Sequence, residues 1–213
     1  MPDLLLIAAS GLAREVLSAD QGEYRVVGIL DDDPTLAGSL VNGIAVLGGV
    51  ELARDRDEAL LICVGSGSGR QKIAARLAGL GVDEARFATL VDQFVRLPSG
   101  CRVGAGSILL AGVVLTADVT VGRHVVAMPQ VILTHDDCVG DFATLAAHAT
   151  LGGSVNIGEA AYLGMNCSIR QGVSIGDAAT VGMGAVVLTD VPEGETWVGV
   201  PARALPSPVG AMR

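Results

Sequence analysis

Residues 151–186 read LGGSVN IGEAAY LGMNCS IRQGVS IGDAAT VGMGAV, six hexads that each open on Leu, Ile or Val. The same register runs back without an insertion through Leu145, Val139, Leu133, Ala127, Val121, Leu115, Leu109, Val103 and Leu97 to Val91. Of the sixteen opening residues, only Ala127 is not Leu, Ile or Val. The second position is Gly in eight hexads, and the fifth is small or β-branched in all except one, where Asp137 stands. A helix repeats every ~3.6 residues and a strand every ~2, so neither alone sustains a period of six. Three short strands per coil do, with the opening aliphatics pointing into a narrow prism and glycines where a Cβ would be awkward. One hexad cannot bury its apolar residue alone, so the coils must stack, and sixteen hexads make a little over five coils. The second half of the chain is therefore expected to be an all-β parallel β-helix over residues 89–213.

Residues 1–88 lack the hexad and read differently. Leu4–Ala9 is an apolar strand pattern, Ser10-Gly11 a turn, and Leu12–Ala19 a helix. Tyr24–Leu30 is a second strand, ended by Asp31-Asp32-Asp33-Pro34. Ala59–Val64 is a third, running into a Gly65–Gly69 turn and a helix over Arg70–Leu80. Strand, glycine turn, helix and strand in alternation indicate a small α/β, Rossmann-like domain. Helix N-termini after such turns favour phosphate, which makes Ala8–Ala13 (with Ser10 and Gly11) and Gly65–Arg70 (with Gly65) the candidate anion sites. Neither turn is a full GxGxxG, so a phosphate of a nucleotide sugar fits better than a dinucleotide.

Composition narrows the partners. The 213 residues carry a net charge of −9, which argues against nucleic acid and anionic membranes. Half the residues are hydrophobic but only 3% aromatic, as suits a prism too narrow for rings. Cys63, Cys101, Cys138 and Cys167 show no zinc spacing; Cys101 and Cys167 fall in inward fifth positions, so free thiols in a reducing, cytoplasmic setting are expected. The opening Leu4–Ala9 run lacks a basic n-region and reads as a core strand, not a leader or a membrane span.

Three hexads per coil put residue n beneath residue n+18, about 4.8 Å away. Ala117, His135, Gly153 and Gln171 then share one column, Thr116, Thr134, Gly152 and Arg170 the next, and Asp118, Asp136 and Ser154 a third. His135 lies one coil from the paired glycines Gly152-Gly153, whose backbone a ligand can approach closely. A neutral imidazole can deprotonate an attacking amine or hydroxyl, worth roughly 10² to 10⁴ in rate. A backbone N–H can stabilise the resulting oxyanion, worth roughly 10² to 10³. A carboxylate beside the histidine fixes its tautomer, and both Asp136 and Asp137 are adjacent. This suits acyl transfer from a thioester. His124 and His148 fall on other corners of the prism, so the three histidines do not converge on a metal, and none is expected.

Three segments together carry a resemblance: Val27–Pro34, which reads VGILDDDP, His135–Phe142, which reads HDDCVGDF, and Trp197–Arg203, which reads WVGVPAR. The chain resembles the sugar-nucleotide N-acetyltransferase and sialic acid O-acetyltransferase-like family of hexapeptide-repeat acyltransferases. The resemblance spans Leu4 to Arg203 and implies a left-handed coil. It implies that His135 is the general base, Asp136 its polarising acid and Gly153 the amide that holds the thioester carbonyl. Acetyl-CoA would lie along the outside of the coils, between subunits of a homotrimer, past Gly152, Gly153, Met165, Gly182, Met183, Pro201 and Arg203. The first domain would bind the nucleotide sugar, with Asp31 and Asp32 near base and ribose; Ser10, Gly11 and Gly65 of its turns and Asp137 of the second domain are the further candidate substrate residues. Two residues depart from the pattern. Leu12 replaces a histidine of the first turn, and Asp137 stands where the family commonly has Cys. The activity implied is N-acetylation of a nucleotide-linked deoxyamino sugar. O-acetylation of a sugar such as sialic acid, and a non-catalytic binding role, are the alternatives.

Overall fold

The computed structural model describes residues 1–19 and 22–206; residues 207–213 of the expected second domain lie outside this range. The first 62 residues supply one five-stranded sheet. Its strands are β1 (Asp3–Ile7), β2 (Arg25–Leu30), β3 (Leu40–Val41), β4 (Ile44–Gly48) and β5 (Ala59–Ile62), in the order β3-β4-β2-β1-β5. β4, β2, β1 and β5 run parallel, and β3 joins β4 antiparallel. Leu4 to Ile7 and Leu60 to Ile62 are fully buried: both faces of the sheet are covered, and Phe87 bridges to Leu60 on the outer side of the end strand β5. The β3–β4 hairpin is absent from the sequence reading. Its signal is Asn42-Gly43, whose φ of 46° and 84° make the two-residue turn that matches strand twist.

Helix α1 (Gly11–Ser18) is capped by the Ser10 hydroxyl, which accepts from the Ala13 amide. Helix α2 (Gly67–Gly79) begins three residues before the expected Arg70, capped by Ser66. Gly67 and Gly69, which read as a turn, lie in its first turn, and Gly65 precedes the cap. At Gly67 a Cβ would strike the carbonyl oxygen of Phe142 in the second domain, so glycine there permits the domains to touch.

Phe87 still bridges to Leu60 of the first sheet, whereas Leu90 pairs with Ile108 of the second domain. From there, two-residue strands form three parallel sheets in which residue n pairs with n+18: Thr120 with Cys138, Val126 with Thr144, Ile132 with Thr150. Opening and fifth-position side chains fill the prism; Val113, Val119, Val125, Val131, Val155 and Cys167 are all fully buried. Burial pushes the Cys167 thiol up to about 12.

The corners turn at the fourth position, not at the glycine-rich second. Asp118, His124, Gln130, Asp136, Phe142, His148, Ser154, Ala160, Asn166 and Ala178 all have φ between 53° and 63°. Second-position glycines serve a different end. A Cβ on Gly104, Gly140, Gly158 or Gly164 would strike the backbone of the next coil, so these glycines set the closeness of stacking. The last strand reverses: Arg203–Ala204 runs antiparallel to Thr196–Val198 at the edge of its sheet.

Candidate active site

His135 occupies the corner between the strands Ile132–Leu133 and Cys138–Val139, with its side chain half exposed. The left-handed turn at Asp136 brings that carboxylate back onto its neighbour, and Asp136 Oδ2 lies 2.8 Å from His135 Nδ1. With Nδ1–H donating to the carboxylate, the lone pair sits on Nε2. The ring lies across Gly153: a Cβ there would fall on Nε2 and Cε1. Among the described residues the Gly153 amide has no acceptor. In two equivalent positions a side chain takes that role, Asp141 Oδ1 accepting from Arg123 N at 2.7 Å and Asp177 Oδ1 from Glu159 N at 2.7 Å. Ser154 N donates to the His135 carbonyl at 2.8 Å, tying the two corners. The expected column thus brings an oriented imidazole and an uncommitted amide together.

The sequence leaves Asp136 and Asp137 as alternative partners of His135. The structure separates them. Asp137 is fully buried, and its oxygens accept from Thr134 N at 2.7 Å and Val155 N at 2.9 Å. Among the described residues it makes no hydrogen bond or ion pair with the imidazole, and it is closed to the outer surface, against its expected place toward the substrate. Burial pushes its carboxyl up to about 6, against the pull of the two amides and of His135.

Met165 and Met183 stack one coil apart, exposed, along the far edge of the sheet that His135 borders, with Gly182 beside Met183. Pro201 and Arg203 lie on the tail, which reaches back over the last coil through Ala202 N to Val186 O at 2.8 Å. These residues and Gly152-Gly153 flank one outer face.

A separate pocket of about 330 Å³ opens between the domains. Ser10, Gly11, Leu12, Glu15 and Gly65 line it from the first domain, and Val126, Met128 and Thr144 from the second. The last three escape a sequence reading because outward positions of the hexads look like solvent-facing ones. The Ser10 hydroxyl bridges the Ala13 amide and the Cys63 carbonyl, which fixes the turn at the pocket wall. Asp31 accepts from Ala9 N at 2.7 Å and from Asp33 N at 2.9 Å. Asp32 accepts from Val50 N and pairs with Arg76; although burial opposes it, these partners hold its carboxyl below the usual range. Both aspartates shape the turn, and what they add for a ligand is their remaining lone pairs. Burial raises the Glu15 carboxyl.

Within one chain His135 and this pocket do not meet. The first domain packs on the sheet containing Ile108, Leu110 and Val126, and the sheet containing Ile132–Leu133 lies between that contact and His135. Among the described residues, no three His, Cys, Asp or Glu side chains gather as a metal ion would need, and no helix is long and apolar enough to cross a membrane.

Residues 3–77 match the PglD N-terminal domain model, and residues 154–189 match the bacterial transferase hexapeptide (six repeats) model. No curated protein matches the sequence significantly. Solved structures match over nearly the whole chain. PerB from Caulobacter crescentus, solved with CoA and GDP-perosamine, is 27% identical with a TM-score of 0.87, covering 96% of this chain and 98% of its own. The acetyltransferase domain of PglB from Neisseria gonorrhoeae, solved with acetyl coenzyme A, is 28% identical with a TM-score of 0.84, covering 96% and 99%. WeeI from Acinetobacter baumannii is 28% identical with a TM-score of 0.83, covering 95% and 99%. The first domain is thus of the PglD N-terminal type, the second carries bacterial-transferase hexapeptide repeats, and over nearly its whole length the chain is similar to solved hexapeptide-repeat sugar-nucleotide N-acetyltransferases.

Proposed function

We propose that this protein transfers the acetyl group of acetyl-CoA to an amino group on a nucleotide-linked deoxyamino sugar. The observation that carries the reading is the His135 ring, fixed by Asp136 and lying across the uncommitted amide of Gly153. The amine attacks the thioester carbonyl while Nε2 of His135 removes its proton. The oxyanion is held by the Gly153 N–H. Collapse breaks the C–S bond, and the imidazolium returns its proton to the departing thiolate, giving the amide and free CoA thiol. CoA lies on the outer face flanked by Met165, Gly182, Met183, Pro201 and Arg203, and Gly152 leaves room for its approach. The nucleotide lies in the pocket at Ser10, Gly11 and Gly65, near Asp31 and Asp32.

A homotrimer completes this arrangement. His135 and the interdomain pocket face apart in one chain, so the sugar held by one subunit reaches the base of the next. Ile132, Met165, Met183, Leu188 and Val200 are exposed apolar side chains that such a contact would cover. Free thiols and the use of acetyl-CoA suit a reducing cytoplasm.

The test is release of CoA thiol from acetyl-CoA with UDP-, GDP- and dTDP-linked 4-amino sugars, free sialic acid, or no acceptor. Turnover with one nucleotide amino sugar is the expected result. Turnover with sialic acid alone would transfer the reading to O-acetylation, and silence with acetyl-CoA still bound would end it. Gly153→Ala should lower kcat about 100-fold, because the new Cβ displaces the ring, and misplacement by about 1 Å can cost that much. Retention of more than a tenth of wild-type kcat would show that the ring need not lie there.

A further inference from the structure

The fifth hexad position points into the prism, and fifteen of its sixteen occupants are Val, Ala, Cys or Ser. A carboxylate in that slot must find donors inside the protein. Asp137 finds two, and their places in the chain are informative. Thr134 precedes His135; Val155 follows Gly153-Ser154, one coil on. In ordinary corners the fifth residue's amide turns back on its own corner, as Ala149 N does to Ala146 O at 3.1 Å and Val173 N to Arg170 O at 3.3 Å. Val155 N instead reaches across the coils to Asp137. Ser107 is the nearest parallel: its hydroxyl accepts from Val125 N at 2.9 Å and donates to Gly122 O, so both its bonds go to the next coil. Only the carboxylate takes one amide from each corner.

We propose that Asp137 is a positioning residue, bolting the corner that carries His135 to the corner that carries Gly153. This rests on the reading of His135 as base and Gly153 as oxyanion donor. The separation of those two groups is what an acyl transfer depends on; one backbone bond, Ser154 N to the His135 carbonyl, already joins the corners, and the carboxylate adds a second link through the prism interior. Asparagine in the slot offers one acceptor, and its NH₂ would face an amide N–H. Serine puts a single oxygen, on a shorter side chain, where aspartate sets one oxygen against each amide.

The experiment compares Asp137→Asn and Asp137→Ser with Ser107→Ala, a change at the same lattice slot on a corner away from His135. kcat and both KM values are measured with the acceptor found above, in wild-type and His135→Ala backgrounds, together with Tm. Asp137→Asn should lower kcat about tenfold with KM within about twofold. Asp137→Ser should fall between, and Ser107→Ala should lower Tm without changing kcat. On the His135→Ala background, Asp137→Asn should cost nothing further. A kcat within twofold of wild type, or the same loss in both backgrounds, would overturn the proposal and leave Asp137 a stability residue. Should the wild-type enzyme turn over no acceptor, the reading of His135 as base fails separately. Crystal structures of the variants then decide for Asp137: a wider gap between the His135 ring and Gly153 supports the bolt, and an unchanged gap refutes it.

Discussion

His135→Ala should lower kcat by roughly 10² to 10⁴, the range a positioned general base supplies. The ring is half exposed, and its polar contact is with the exposed Asp136. Little packing is lost, so stability should stay within about 0.5 kcal/mol of wild type. The KM for acetyl-CoA should hardly move, because the ring acts on the proton of the attacking amine and not on the bound thioester. That split marks an interaction made in the transition state. Steady-state kinetics with the acceptor at saturation provide the measurement. A kcat within a few-fold of wild type would remove His135 from the mechanism, leaving the amine to lose its proton to water.

The second large effect concerns stability. Arg70 is fully buried, and among the described residues its partners are all oxygens of backbone carbonyls and one hydroxyl. Its Nε donates to His124 O at 2.7 Å, Nη1 to Val64 O and Gly65 O, and Nη2 to Phe142 O, Ala143 O and Thr144 Oγ1. Three of these acceptors are backbone carbonyls of the second domain, gathered around two corners where Phe142 and His124 are held at positive φ. Burial lowers the guanidinium to about 10, so it remains charged at neutral pH. Arg70→Ala removes the donors and strands several buried acceptors, each worth about 1–3 kcal/mol when left unpaired. Relaxation and water entry recover part of this, so a net loss of about 3–5 kcal/mol is expected, comparable to breaking a buried ion pair. For a chain of this size that is a fall in Tm of about 6–20 °C. Thermal and denaturant unfolding measure it. A loss below 1 kcal/mol would show that the domains are held by their apolar contact at Leu4, Val126 and Leu110 without the arginine.

The two large effects differ in how visible they are from the chain alone. The hexad is legible because every coil repeats one environment, so the residue at a given register position predicts burial. The His135–Gly153 column follows from the same arithmetic, since stacking converts sequence separation into distance. Arg70 is not legible: a glycine-flanked arginine at the head of a helix looks like a phosphate ligand, and only the docking of one domain on the other turns it inward. Asp137 is visible as an exception to the lattice, but its partners are backbone amides, which a sequence does not display. The fourth-position corners are equally hidden. Asp, His, Gln, Phe, Ser, Ala and Asn all occupy them, because stacking on both neighbouring coils outweighs the cost of positive φ. Val126, Met128 and Thr144 line the interdomain pocket through the outer side of a sheet whose inner side alone leaves a periodic mark.

A ladder of identical parallel rungs is, at its last rung, a template for more of itself. The unpaired backbone groups of a terminal coil would accept the first coil of another molecule as readily as they accept their own neighbour. Arg203–Ala204 ends one of the three sheets by running the opposite way, and the turn before it covers a second, Val186 N donating to Gly199 O and Ala202 N to Val186 O. On those two sheets the parallel ladder ends in chain that offers no parallel rung for a further coil to copy, so a motif with no internal stopping signal acquires one from the tail.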